Sequence, residues 1–255
     1  REVIEGVQLG TVEATIVSSG TLSNFVPEAG VFDIPFLFRD LGHARRVLDG
    51  PVGQEILAKF DDVGLVAVAW GEQGFRHITN NRNAINKPAD IAGLKLRTME
   101  NPTHITAFET LGAAPTPMAW PEVIGALEQG TIDGQENPLT VITSAKLSEV
   151  QTYLTLSGHV YSPTVFLVSR PLWDGLSQED REMFRMGAVE AVTAMRAFVD
   201  GVETSGVEQL KSEGMTVGEL STEQKAAFQG ALEAAYEQYY GIYGKDLVER
   251  IIATE

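Results

Sequence analysis

"GLKLRTMENPTHITAFETLGAAPTPMAWPEVIGALEQGTIDGQENP", Gly93 to Pro138, alternates short apolar runs with stretches of helical spacing. "GLKLR" reads as a strand and "NPTHITAFETLGA" as a helix stopped at Gly112. A proline-rich lead-in then opens a short helix that ends at Gly130, and "TIDG" is strand-like ahead of the polar cluster "QENP". The same alternation extends outward. Upstream, "GLVAVAWGEQGF" (64–75) is an apolar run of strand length ending in glycines, and downstream "PTVFLVSR" (163–170) is another. Strands alternating with helices predict an α/β fold with mainly parallel pairing.

Nearer the start, "VQLGTVEATIVSSG" predicts a helix end, a glycine turn and a strand running into Ser18 and Ser19. "FVPEAGVFDIPFLF", broken by Pro27 and Pro35, reads as an irregular buried segment, and 41–64 as two short helices. Ser177 with Asp180 forms a capping box ahead of a helical pattern that reaches about Lys211. A pattern that long suits an element running along more than one domain. The tail is helical again, with tyrosines grouped around Gly241. No repeat or flexible linker interrupts the chain, so two domains would be joined by several crossovers.

The 255 residues suffice for one large or two ordinary domains. With 35 Asp and Glu against 19 Lys and Arg, the formal charge of −16 opposes binding to nucleic acid or anionic lipid. It does not oppose a small anionic ligand, because a few arginines in a cleft set the local potential. The absence of cysteine removes disulfides, thiolate catalysis and cysteine-ligated metals, and no apolar run is long enough to span a bilayer.

The sequence contains no GxSxG, Walker A or GxGxxG motif after a strand. The histidines 43, 77, 104 and 159 lack metal-ligand spacing, so neither a metal nor a cofactor is expected. Asp133 and Glu136, three apart, lack the acidic ladder of a calcium loop; a hydrolase using the pair would need a geometry that sequence does not supply. Arginine recurs instead at predicted strand ends, with Arg76 just beyond "LVAVAW" and Arg97 closing "GLKLR". A guanidinium holds a carboxylate by two parallel hydrogen bonds, and ligands of open α/β sheets lie outside the carboxyl ends of strands. Each arginine reads equally as a surface group paired with one of the many acids. Trp70, Phe75 and Trp120 each suit a pocket wall or the core; Trp70, inside an apolar strand, suits the core better, and Trp120, in a rigid connection between Pro117 and Pro121, suits a pocket wall. The Ser18–Ser19 pair fits a ligand contact or a plain turn.

"GLKLR", "LGAAPTPMAWPEVIGALEQGTIDGQENP" and "KLSEVQTYLTLSGHVYSPTVFLVS" together resemble the substrate-binding proteins of TRAP transporters, the DctP-like family. The resemblance covers nearly the whole chain and is most specific from Ile91 to Ser169. It implies a periplasmic two-lobed binding-protein fold that closes over an organic acid and delivers it to a membrane permease, with no catalysis and no membrane insertion. By matched position it gives Arg97 the ligand carboxylate, Asn137 a hydrogen bond from the same lobe, Arg76 a second guanidinium and Trp120 a pocket wall. Ser18 and Ser19 match a strand end that varies with ligand, and His77, Glu100, Glu136 and His159 follow by adjacency. The lobes are expected at 1–74 plus about 163–202 and at about 75–162 plus 203–255, with the helix from Ser177 spanning both. Two arginines, two serines and an aromatic wall suit a uronate or related sugar acid, with C4-dicarboxylates and small hydroxy or keto acids as alternatives. Family members carry a signal peptide and a strand–helix–strand unit ahead of "REVIEGVQLG", so the first lobe's sheet is expected to be short of strands. A fragment, a misplaced start and completion by another association are all open, and an unpaired edge would invite pairing.

Overall fold

Two strands of unusual length organise the chain. The computed structural model describes residues 1–255. Its strands are β1 (Ala14–Ser18), β2 (Leu65–Asn80), β3 (Lys95–Thr98), β4 (Ala114–Pro117), β5 (Gly134–Pro138), β6 (Tyr153–Ser169) and β7 (Thr216–Glu219). The helices are α1 (Glu2–Leu9), α2 (Leu41–Asp49), α3 (Pro51–Ala58), α4 (Pro102–Thr110), α5 (Trp120–Glu128) and α6 (Leu139–Ser144). They continue with α7 (Arg170–Gly175), α8 (Gln178–Ser212), α9 (Thr222–Ala231), α10 (Glu233–Tyr243) and α11 (Lys245–Ile252). The sheet order is β1-β6-β2-β5-β3-β4, with β7 also paired to β6.

The α/β alternation predicted for Gly93–Pro138 is present, and β3 pairs in parallel with both β4 and β5. β6 pairs in parallel with β7 as well, but the expectation of mainly parallel pairing does not hold for the rest of the sheet. β1 with β6, β2 with β6 and β2 with β5 are all antiparallel. The reason is strand length. β2 and β6, of 16 and 17 residues, do not stop at the glycines of "GEQG" or "SGH" but bend through them, and a continuous ribbon of two such strands pairs antiparallel. Their ladder slips at Ala67/Ala69, Glu72/Gly74 and Arg76/Ile78, which are bulges that bend the ribbon without ending it.

The ribbon links separate cores. One, of 28 buried residues, takes Leu65 and Trp70 from β2, Tyr161, Val165 and Leu167 from β6, and most of its other members from residues 4–60. Two others take Ile78 from β2 with Leu96 and Phe108, and Leu154 from β6 with Val123, Ile142 and Leu210, and a small fourth joins Val66 of β2 and Val168 of β6 to Trp173. The strands therefore cross between packing units at about 71–77 and 156–161. The 35-residue α8 begins at the expected cap, where Ser177 accepts from Asp180 N, and packs along β2. Leu232, Ala235, Tyr239, Val248 and Ile251 of the tail belong to the first core. No helix is long and apolar enough to cross a membrane.

Candidate functional site

Arg97 is the third residue of β3, near its carboxyl end as expected, and only 3 % of it is exposed. Its Nε and Nη2 donate to the Met118 carbonyl oxygen at 3.1 and 2.9 Å, and its guanidinium lies 5.6 Å from the centre of the Trp120 ring. These contacts aim the fork but neutralise nothing, because no carboxylate lies within ion-pair distance. Burial pushes its pKa down to about 10, against the raising influence of Glu136. The side chain stays charged at neutral pH, as a desolvated cation without a counter-ion. Trp120 is 36 % exposed and forms a wall over it.

Arg76 is different. It lies within β2, not beyond it, because the strand continues to Asn80. It is almost wholly buried, and Glu136 holds it through both carboxylate oxygens, with Nη2 also donating to the Glu136 carbonyl oxygen at 2.6 Å. Further bonds run from Nη1 to Ser162 Oγ (3.2 Å) and from Nη2 to Asn137 Oδ1 (3.2 Å). Ser162 Oγ lies 3.3 Å from Ser18 Oγ. Arg76, Glu136, Asn137 and Ser18 are thus tied into one network, in which Arg76 is already neutralised.

Two histidines complete the ionic set. His159 Nε2 is 3.1 Å from Glu136 Oε2, and its Nδ1 is 2.8 Å from Ser157 Oγ. Burial lowers the pKa of this ring, so it is neutral, with Nε2 donating to the carboxylate and Nδ1 accepting from the serine. His104 lies between Asp33 Oδ1 at 3.4 Å and Glu136 Oε1 at 3.7 Å, ion-pair distances without linear hydrogen bonds. Burial opposes its charge, but Glu136 and Asp33 outweigh that and raise its pKa to about 9. Burial likewise works against the Glu136 carboxylate, yet Arg76 and His104 hold its pKa well below the ordinary range. Two buried carboxylates, Asp33 and Glu136, therefore face three buried cations, Arg76, Arg97 and His104. The site keeps one positive charge, located on Arg97.

The segment after β1 closes the arrangement. Asn101 caps α4 by accepting from Thr103 N and His104 N, and it donates to the Gly20 carbonyl oxygen (2.7 Å) and to Asp33 Oδ2 (2.8 Å). Asn24 reaches the Glu100 carbonyl oxygen, although the Glu100 side chain is exposed. Ser19 is fully buried with an unpartnered Oγ.

Of the residues singled out from sequence, the structure brings Arg97 together with Trp120, and Arg76 with Asn137, Ser18, Glu136 and His159. His77 does not join them. Successive strand residues point to opposite sides, and its Nδ1 accepts from Gly158 N on the bulge of β6. Asp133 is also elsewhere, its carboxylate accepting from Lys95 N at the start of β3. Asp133 and Glu136 do not face a common space, and neither is free to act as an acid or base. Sequence reasoning misses Asp33, His104, Asn101 and Ser162. The capping pattern "NPTH" marks Asn101 only as a helix start, and nothing local marks the other three.

The chain matches the family described as "Bacterial extracellular solute-binding protein, family 7" (DctP) over residues 1–241. It is 51 % identical to a solute-binding protein of Verminephrobacter eiseniae over 255 residues, 100 % of this chain and 76 % of the relative. A TRAP periplasmic solute-binding protein from Bordetella bronchispeptica, with density interpreted as pantoate, is 58 % identical with a TM-score of 0.97, covering 100 % of this chain and 84 % of that one. One from Polaromonas, bound to D-erythronate, is 48 % identical with a TM-score of 0.97, covering 100 % and 83 %. The two-lobed α/β architecture is theirs, and the relatives are binding proteins. The chain belongs to the DctP family of bacterial extracellular solute-binding proteins, the receptors of TRAP transporters, and is a receptor and not an enzyme.

Proposed function

We propose that this receptor captures a short hydroxylated monocarboxylate, a sugar acid of the aldonate type, through Arg97, and presents it to TRAP permease subunits outside the cytoplasm. The observation that carries the reading is the single positive charge left in the buried ionic set, on a guanidinium with no carboxylate partner. One ligand carboxylate neutralises it. A C4-dicarboxylate would bring a second negative charge to a site whose other cations are already paired, and an unpaired buried charge is costly. The proteins at 58 % and 48 % identity support a small acid, since pantoate and D-erythronate are both 2,4-dihydroxybutanoates in skeleton. The hydroxyls have partners of the right type in Asn137, Ser18 and the unpartnered Ser19 Oγ. A uronate, a six-carbon acid closed into a ring, is the second reading among sugar acids.

Binding by this route is electrostatic capture followed by closure. Ligand contacts that form only when the segment after β1 meets β3 and β5 favour the closed population. The proposed lobes are those expected from sequence, with the tail from Leu232 onward assigned to the first because Leu232, Ala235, Tyr239, Val248 and Ile251 share its core, which supports that assignment. Calorimetric titration with D-erythronate, D-galacturonate and succinate tests the reading. The expected order is erythronate tightest and succinate weakest, with Arg97→Lys losing about 2–5 kcal/mol of erythronate binding because lysine lacks the fork. Succinate binding as tightly as erythronate, or full affinity in Arg97→Lys, would overturn it.

A further inference from the structure

His77 lines a second cavity, of about 670 Å³, where β2 and β6 cross between the packing units and α8 and α9 cover them. None of Arg97, Asn137, Trp120 or Ser18 lines it, so it is separate from the site above. Its walls carry polar groups with no partners. His77 is 6 % exposed; with Nδ1 accepting from Gly158 N, its proton sits on Nε2, which is buried and bonded to nothing. Burial lowers the pKa of this ring to about 3, so Nε2 is a neutral donor at any physiological pH. Lys225, from α9, places its Nζ beside Gly158 and makes no ion pair. Glu203, from α8, is half-buried beside Gly74 and has no cationic partner, and burial raises its pKa. Glu219 adds an exposed carboxylate, and Arg39 is engaged by the carbonyl oxygens of Ile252 and Thr254. Phe36, Phe38 and Phe75 supply an aromatic wall.

An anion alone would meet the unpaired Glu203, and a cation alone would meet Lys225. We propose that this cavity is a second binding site, for a small zwitterion with an apolar body, an apolar α-amino acid in chemical class. The carboxylate is taken by Lys225 and the Nε2 proton of His77, the ammonium by Glu203, and the side chain by the phenylalanines. Binding at both ends gives partners to the buried Nε2 of His77 and the half-buried Glu203 carboxylate, which otherwise have none.

Titration of the chain with L-phenylalanine tests the site, with 3-phenylpropanoate and phenethylamine each lacking one of the two charges. Saturable binding of L-phenylalanine is expected, at least tenfold tighter than either analogue. Lys225→Gln and Glu203→Gln should each weaken it at least tenfold while leaving D-erythronate binding unchanged, and Arg97→Ala should leave it intact. Lys225 is not part of any core, so its variant remains informative even if His77→Leu fails to fold. No saturable binding of L-phenylalanine or L-leucine, equal binding of an analogue, or loss of binding in Arg97→Ala but not in Lys225→Gln, would overturn the proposal. Because D-erythronate is followed separately, failure here is distinguishable from failure of the Arg97 reading.

Discussion

Arg97 and Arg76 look alike in sequence, each after an apolar strand, and the structure gives them opposite tasks. Arg97 donates only to a carbonyl oxygen and keeps its charge for a ligand. Arg76 spends its charge on Glu136 and acts as a strut between β2, β5 and β6. The two should separate in experiment. Glu136→Gln leaves two buried cations short of their carboxylate, so unfolding free energy should fall by about 3–5 kcal/mol, read by urea denaturation. Arg97→Ala should leave stability almost unchanged or slightly raised, since it removes an uncompensated buried charge. Carboxylates 133 and 136 therefore matter as structure, one pinning the start of β3 and the other anchoring Arg76.

At the level of elements, β5 decides where the site residues point. Gly134 opens it opposite Asn80, and a Cβ there would be driven into the Thr79 carbonyl oxygen and the Asn80 side chain. Backbone cannot yield as a flexible side chain does, so Gly134→Ala should lower the melting temperature by several degrees and weaken ligand binding by shifting Asn137. A calorimetric scan with a paired titration reads both effects. Unchanged affinity at a lowered melting temperature would separate β5 pairing from the site. Helix α8 is legible in the sequence because its cap and its periodicity are local, with Ser177 and Asp180 three apart. The full extent of β2 and β6 is not. The glycines of "GEQG" read as an end and "SGH" carries no strand signal, yet Gly71, Gly74 and Gly158 lie inside strands, where bulges let the ribbon bend.

Across the whole molecule, stability should depend on pH from both sides. His104 has a folded pKa of about 9, above its unfolded value of about 6.5. The proton it holds stabilises the fold fully below pH 6.5, and that contribution is lost as pH rises through 9. His77, at about 3, lies below its unfolded value, so its contribution is present above 6.5 and lost as pH falls toward 3. The lowered His43 and His159 act in the same direction as His77. Urea midpoints measured from about pH 5 to about 9.5 should peak near neutrality, and His104→Gln should flatten the alkaline limb. A wild-type alkaline limb that is already flat would refute the charged assignment of His104.

The sequence by itself determined the α/β alternation from Gly93 to Pro138, the cap and length of the long helix, the family, and the candidacy of Arg97, Trp120 and Asn137. These rest on local spacing or on a motif contained in one stretch. Only the tertiary structure decided that β2 and β6 run antiparallel through both packing units, that Arg76 is neutralised while Arg97 is not, and that Asp33 and His104 complete the charge balance. It also turned His77 away to a different cavity. Pairing direction and the partner of a buried charge depend on segments tens of residues apart meeting in space, as Arg76 meets Glu136 across 60 positions, and no local pattern records that meeting.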